Sequence, residues 1–437
     1  MTANGGVWRN WGRSESIRPQ RVERPSSAEA VQRAVAAAAK QGMRVKAVGA
    51  GHSFTGIAAA PGVQLDLEAL SGVLDVDLER GRVRLAAGTH LHQLPRLLRP
   101  YGLALENMGD IDRQTIAGAT STGTHGTGGS FGGLATQIVG VTIVTGSGEL
   151  LTIDETQNAE LLPAARLGLG ALGVIVDLTI QCVPAYLLKA VERPEPLQEV
   201  LEGYLERSAA EDHFEFYWFP HTETGLTKTN TRLPLTEARA PLSAVGRWVD
   251  DELLANGVYR GVCALGTAAP AIVPPFSRLA QRLTGNRDFT DVSPAVFVTN
   301  RTVRFREMEY ALPRAAVPAA LAEVKALIER KGWRISFPVE VRSAAADDNW
   351  MSTAYGRDTG YIAVHRYYRE DPTEYFTAVE RIMMAHEGRP HWGKMHFRDA
   401  ASLQTAYPRF DDFLAVRDRL DPDRRLANAY LNRILGA

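Results

Sequence analysis

The sequence predicts a two-domain α+β protein, and three observations predict it. A chain of 437 residues exceeds what one hydrophobic core normally organises, so two domains, or one domain with an insertion, are expected. Up to about residue 183, helix and strand signals mix and most strand connections read as hairpins, without the βαβαβ rhythm of a doubly wound sheet. Near Pro184 the character changes to aromatic and alternating strands with a long amphipathic helix. The expected divisions are a first domain at residues 1–183, a second at 184–386, and a strand-poor arm at 387–437 that returns to the first.

The elements follow in order. In "RPSSAEAVQRAVAAAAKQGMRVKAVG", Ser26 and Glu29 have capping-box spacing, Val31, Val35 and Ala38 share a helical face, and Gly42 ends the helix before the strand "RVKAVG". "GVQLDLEAL" alternates as a short strand, and "GVLDVDLERGRVRLAAG" reads as a hairpin around Glu79, Arg80 and Gly81. "HLHQLPRLLRPYG" is a helix stopped by Gly102, "QIVGVTIVTGSGELLTID" a hairpin turning at Gly146–Gly148, and "GLGALGVIVDLTIQCVP" a glycine loop entering a buried strand. In the second domain "DHFEFYWFPHTE", "PVEVRSAAADDNW" and "TGYIAVHRYYRE" read as strands. "EMEYALPRAAVPAALAEVKALIERKGW" reads as a strand and a long helix, and "GTAAPAIVPPFSR" as an irregular Pro-rich loop.

Composition excludes several classes. Apolar content of 45%, charged content of 23% and a formal net charge of −1 are those of an ordinary globular protein. They show no basic footprint for nucleic acid or an anionic membrane. Two cysteines, Cys182 and Cys263, exclude a disulfide framework and a cysteine-rich zinc site. "GALGVIVDLTI" is too short to span a bilayer, and "MTANGGVWRNWGRSES" has no apolar signal core. A reducing cytoplasm is the expected compartment.

Chemistry concentrates in a few stretches. "VKAVGAGHSFTG" ends a strand in a Gly-Ala-Gly turn followed by His52, an imidazole placed to bind metal, move a proton, carry an adduct or do nothing chemical. "TIAGATSTGTHGTGG" combines glycines, hydroxyls and His125. It is neither a Walker loop nor a strand-GxGxxG-helix unit, so a nicotinamide enzyme is disfavoured. Alone it suits a turn as well as a phosphate cradle, but with "GLGALGV" three such loops in one domain point to a large phosphate-bearing ligand. In "PVEVR", Glu340 and Arg342 project from one strand face, either as a surface ion pair or as a functional pair. His365 shares a face with Ala363 and Tyr367 on a neighbouring strand. In "HWGKMH", His391 and His396 are five apart, one residue off the helical metal spacing. With no third clear ligand, no metal is expected.

The motifs "VGAGHSF", "STGTHGTG", "LGALGVI", "RPHWGKMH" and "LDPDRRLANAYL" occur in this order. With them the chain resembles the vanillyl-alcohol-oxidase-type FAD-linked oxidoreductases, in the aldonolactone oxidoreductase and alditol oxidase branch. The bacterial gulonolactone and arabinonolactone dehydrogenases and oxidases look most similar. The resemblance runs from "WRNWG" to "NAYLNRILG" and implies a PCMH/VAO-type FAD-binding fold whose substrate (cap) domain covers the flavin with a sheet. It implies FAD joined covalently to His52 through one bond, since the second loop lacks the cysteine of doubly linked relatives. It implies cofactor contacts from Ala47, Val48, Gly49, Ala50, Gly51, His52 and Ser53. Further contacts would come from Gly118, Ser121, Thr122, Gly123, Thr124, His125, Gly126, Gly173, Val174, Ile175 and His391, with His125 supporting the pyrophosphate loop. Glu340, Arg342, Lys394 and His365 are the implied catalytic set, with Lys394 beside the N1–C2 edge of the flavin.

The implied activity is hydride transfer from a carbinol carbon of an aldono-1,4-lactone to flavin N5. Gulono-, galactono- and arabinono-lactone are the expected substrates. An alditol oxidase acting on xylitol or sorbitol stays open, as does a flavin-binding redox protein without turnover. The electron acceptor is oxygen, a quinone or a cytochrome, and a quinone would bring peripheral membrane association.

Overall fold

The computed structural model describes residues 6–243, 259–283, 285–299 and 302–437; the first five residues of the stretch read for a signal core lie outside them. Strands β1 (Arg21–Glu23), β2 (Val45–Val48) and β3 (Val63–Asp66) form a parallel sheet in the order β1-β3-β2. Helix α1 (Ala28–Lys40) is the crossover from β1 to β2. One βαβ unit therefore stands where hairpins dominated the expectation. The α1 cap is Ser27, whose side chain accepts from the Ala30 amide at 3.2 Å, and not Ser26, one residue earlier. Val31, Ala34, Val35 and Ala38 are its buried stripe, and Gly42 follows at φ +65°.

A second sheet is antiparallel. It joins β4 (Val73–Asp77), β5 (Arg82–Ala86), β6 (Ile138–Val144), β7 (Leu150–Asp154) and β8 (Val174–Gln181) in the order β7-β6-β8-β5-β4. Both expected hairpins are present, turning through Gly81 (φ +64°) and Gly148 (φ +89°). The second glycine-rich stretch opens as short helix α2 (Ile116–Ser121), capped by Thr115.

The largest sheet has eight strands. They are β9 (Leu187–Pro196), β10 (His213–Trp218), β11 (Thr224–Leu233), β12 (Arg287–Val292), β13 (Phe305–Pro313), β14 (Val339–Ala344), β15 (Thr359–Tyr367) and β16 (Arg389–Pro390). All pairings are antiparallel, in the order β12-β9-β11-β10-β14-β15-β13-β16. One face is covered by α3 (Val317–Lys331) and α4 (Thr373–Ala385). Phe214, Phe216, Met308, Tyr310, Leu312, Val339, Val341, Ile362 and Val364 enter that core. Period-two alternation turns the intervening residues to the opposite face. Those residues are Glu215, Glu307, Glu309, Glu340, Arg342, Tyr361, Ala363 and His365.

One further sequence expectation changes. "GTAAPAIVPPFSR" is helical: Tyr259–Ala268, a 3₁₀ turn Pro270–Ile272 and a helix Val273–Leu283. Its prolines occupy first turns, where a missing N–H costs nothing because no partner exists there. The terminal stretch is strand-poor, as expected: among its described residues Arg389–Pro390 alone is a strand, paired with β13 at the sheet edge. Beyond it, α5 (Phe410–Leu420) and α6 (Ala429–Leu435) bury Phe413 and Ile434 in the same core as Val31 and Val35 of α1. Among the described residues no helix is long and apolar enough to cross a membrane.

Candidate active site

The strand β2 runs directly into the loop Gly49–Ser53, and two further glycine-rich segments converge on it. Gly49 faces the start of α2 so closely that a Cβ would lie 2.4 Å from Thr115 Oγ1. Gly51 sits at φ +69° with the Trp8 ring behind it. Only glycine meets both demands without strain. Between these loops lies a cleft of about 610 Å³, in the range of a sizeable small-molecule ligand. Ala47, Val48, Gly49, Ala50, Gly51, His52, Ser53, Gly118, Ser121, Thr122, Gly173 and Ile175 line it. Bare glycine backbone and serine and threonine hydroxyls form a donor set that suits phosphate oxygens.

A smaller pocket of about 60 Å³ opens against the polar face of the eight-stranded sheet. His52, Ser53, Gln114 and Thr122 line both spaces. The smaller one also holds Thr124, His125, Glu340, Arg342, His365, His391 and Lys394. Gly123, Gly126 and Val174 line neither of the two. The fold thus gathers the four residues expected to be catalytic, and seats His125 with them, away from the larger cleft.

The loop His391–Lys394 holds the two halves together. Its backbone binds the His52 loop, with the Phe54 amide donating to the Gly393 carbonyl at 2.6 Å and Thr55 Oγ1 to the Trp392 carbonyl at 3.0 Å. On the other side, the His391 and Met395 amides donate to the β13 carbonyls of Glu309 and Glu307 at 3.0 and 2.8 Å. The wide separation of "GHS" and "HWGK" in the sequence therefore closes to direct contact.

Charge in the small pocket is tightly paired. Glu340 and Arg342 are 5% and 7% exposed, which excludes the surface ion pair. Arg342 contacts Glu340, Glu215 Oε2 at 3.0 Å and Asp110 Oδ1 at 3.3 Å, with Lys228 Nζ 3.8 Å beyond on Glu215. Burial opposes the Arg342 charge, but Glu340, Asp110 and Glu215 outweigh it and lift its pKa well above the ordinary value. Lys394 lies 2.5 Å from Glu307 Oε2; burial opposes its charge too, and Glu307 and Glu309 outweigh it, raising its pKa. In return the Lys394 cation overcomes desolvation at Glu307 and holds it well below the usual carboxylate value. His125 does the same for Glu309, lowering it to about 2.

His52 and His391 are pushed the other way. Burial, with help from Lys394, lowers each to about 4, so both are neutral at physiological pH. The His52 ring stacks on Trp11 at 5.9 Å, and His391 Nδ1 accepts from the Gly393 amide at 3.0 Å. His396 departs to the Tyr430 hydroxyl at 2.8 Å. His125, stacked on Tyr361 at 3.6 Å, puts Nε2 3.2 Å from Glu309. The ligand atoms of His125, Glu309 and His391 lie within 4.8 Å of one another, a cluster that leaves out His396 of the pair weighed from the sequence. His125 and Glu309 satisfy each other there.

Glu307, Glu309, Glu215 and Asp110 complete the pocket although no motif marks them in the sequence. The signal for the first two was present: acids at i and i+2 in "FREMEYALP", between Met308, Tyr310 and Leu312, mark the polar face of an alternating strand.

The profile of D-arabinono-1,4-lactone oxidases matches residues 178–434, and that of an FAD binding domain matches residues 19–154. The chain is 44% identical to L-gulono-1,4-lactone dehydrogenase of Mycobacterium tuberculosis, over 98% of this chain and 99% of that protein. It is 34% identical to bovine L-gulonolactone oxidase and 31% to an alditol oxidase of a Streptomyces species, each over 98% of both chains. The fold is that of a cholesterol oxidase from Brevibacterium sterolicum, with a TM-score of 0.84 at 17% identity over 99% of this chain and 98% of that one.

Proposed function

We propose that this chain, which belongs to the D-arabinono-1,4-lactone oxidase family and contains an FAD binding domain, oxidises a carbinol of an aldono-1,4-lactone at the polar face of its eight-stranded sheet. One observation carries this reading above others. The glycine-lined cleft and the pocket holding Glu340, Arg342, His365 and Lys394 share His52, Ser53, Gln114 and Thr122, so a ligand filling the cleft ends against the sheet. The functional division is a cofactor domain at residues 1–183, a cap at 184–386 and an arm from 387 that carries Lys394 to the junction.

The cleft residues fit FAD. Its volume, its glycine backbone and its hydroxyls suit a dinucleotide, and its inner end meets the loop of His52. His52 is neutral and offers an imidazole lone pair there, which supports a covalent bond to the flavin. Bound FAD supplies a two-electron acceptor for hydride from the carbinol carbon.

The remaining work belongs to the protein. Arg342, fixed by three carboxylates, presents donors in a rigid fork to the reacting oxygen. Lys394 offers a cation to the negative charge that develops on flavin reduction, a field set up before the reaction begins. Glu340 is shared with Arg342, so it orients substrate hydroxyls more readily than it removes a proton. An aldonolactone carries no charge, and a pocket whose cations already hold carboxylate partners selects it through hydrogen bonds. The relatives named for gulonolactone favour a lactone over an alditol. The test is anaerobic mixing of the purified yellow protein with a panel of lactones and alditols, followed by turnover with and without oxygen. Bleaching by lactones supports the reading; bleaching by alditols alone moves the substrate class, and bleaching by neither refutes it.

A further inference from the structure

Glu307 stands where three elements of the pocket meet, and its two oxygens do different things. Oε2 lies 2.5 Å from Lys394 Nζ, on the loop after β16, and Oε1 faces His365 Nε2, on β15, at 3.6 Å. The His365 ring is held between Phe305 and Phe337, at centroid distances of 5.0 and 6.2 Å. Its Nδ1 lies 2.9 Å from the Pro338 carbonyl. A carbonyl only accepts, so Nδ1 carries the hydrogen and the neutral ring directs its lone pair at Nε2 towards Glu307. Two electron-rich atoms then face each other across 3.6 Å, and a proton arriving at Nε2 relieves that opposition.

Building on the function proposed above, we propose that Glu307 is the positioning residue that makes His365 the acceptor of the carbinol proton while its other oxygen balances the Lys394 charge. The carbinol C–H bond breaks with its electron pair, which passes as hydride to the flavin. The O–H bond breaks with its proton going to His365 Nε2, and the carbon–oxygen double bond forms. Glu340 is the rival acceptor, but its carboxylate is committed to Arg342. The other charged groups facing this corner are Glu309 on β13, Asp110, Glu340 and Arg342, with His52, His125 and His391 completing the wall. With Glu307 removed, Glu309 and Asp110 still favour the charged form of Lys394.

The experiment compares wild type, Glu307→Gln and Glu307→Asp by two readouts. The first is sulfite affinity of the oxidised flavin, which reports positive charge at the flavin without turnover. Loss of the carboxylate frees the Lys394 charge, so Glu307→Gln should bind sulfite about tenfold more tightly. A merely structural role predicts weaker binding. The second is the rate of anaerobic reduction by L-gulono-1,4-lactone at one fixed pH, which should drop by about tenfold or more in Glu307→Gln and stay near wild type in Glu307→Asp. Unchanged or weaker sulfite binding in Glu307→Gln, or reduction of that variant at the wild-type rate, overturns the proposal. A wild-type flavin that binds sulfite but is reduced by no lactone or alditol overturns the functional reading, and the proton route with it.

Discussion

At the scale of single residues, each charge in the pocket is fixed by a neighbour more than by water. His52 is neutral because burial and Lys394 both oppose its protonation. If it carries the flavin, denatured protein run on a gel keeps a fluorescent band, and His52→Ala loses that band while still able to bind FAD loosely. Flavin released freely from the unmodified protein contradicts the bond. In its proposed role Lys394 meets charge that exists only after reduction. Lys394→Met should therefore slow flavin reduction more than it weakens lactone binding, and should weaken the anionic sulfite adduct. Unchanged sulfite affinity would place Lys394 away from the charge that forms.

At the scale of elements, the glycine loop and the sheet do separate work. Gly49 and Thr115 touch, and Thr115 Oγ1 also accepts from the Gly118 amide at 3.3 Å. Gly49→Ala forces the two loops apart, a cost of about 1–3 kcal/mol for overpacking, read as a lower melting temperature and poorer flavin incorporation. Thr115→Ala removes the clashing hydroxyl, so the double variant should lose less than the sum of the two; strict additivity would mean that the loops do not meet there.

The strands were legible in the sequence because alternation survives in "PVEVR", "HFEFYW" and "IAVHRY", whose apolar members sit under α3 and α4. The polar face of the sheet was legible only in part. Glu340, Arg342, His365 and Lys394 came with their motifs. Glu307 and Glu309 lay in a stretch noted for its strand alone, and Asp110 and Glu215 gain meaning only through the long-range contact with Arg342. The prolines of "IVPPFSR" hid a helix because local punctuation does not say whether a proline sits before a first turn or inside it.

At the scale of the whole molecule, the arm returns the chain to its beginning. Lys46 of β2 is buried and donates to the carbonyls of Gly170 at 2.9 Å and Leu426 at 3.1 Å, which ties the glycine loops to the arm. Burial lowers its pKa from 10.5 to about 7, against the pull of Asp421. Below about pH 7 folded and unfolded chains both carry the proton, and the cost of burying the charge is fully present. Between about 7 and 10.5 the unfolded chain binds more protons, so the Lys46 contribution to stability rises with pH across that window. Melting temperatures measured from pH 6 to 10 should show Lys46→Met with a shallower rise than wild type. Parallel curves would mean that Lys46 titrates normally in the fold.

The same closure brings the two ends of the proposed site together, with the cleft from the glycine loops and the polar face from the eight-stranded sheet. Anaerobic stopped-flow reduction by L-gulono-1,4-lactone tests this most directly, with wild type, Glu340→Gln, Arg342→Lys and the double variant compared. The lactone should bleach the wild-type flavin. Glu340→Gln should leave the oxidised spectrum intact and slow reduction by about ten- to a hundredfold, the loss of one charge-assisted hydrogen bond. The double variant should lose less than the product of the single losses, because Glu340 and Arg342 contact each other. Near-wild-type reduction in Glu340→Gln would contradict the placement of the substrate on the polar face of the sheet.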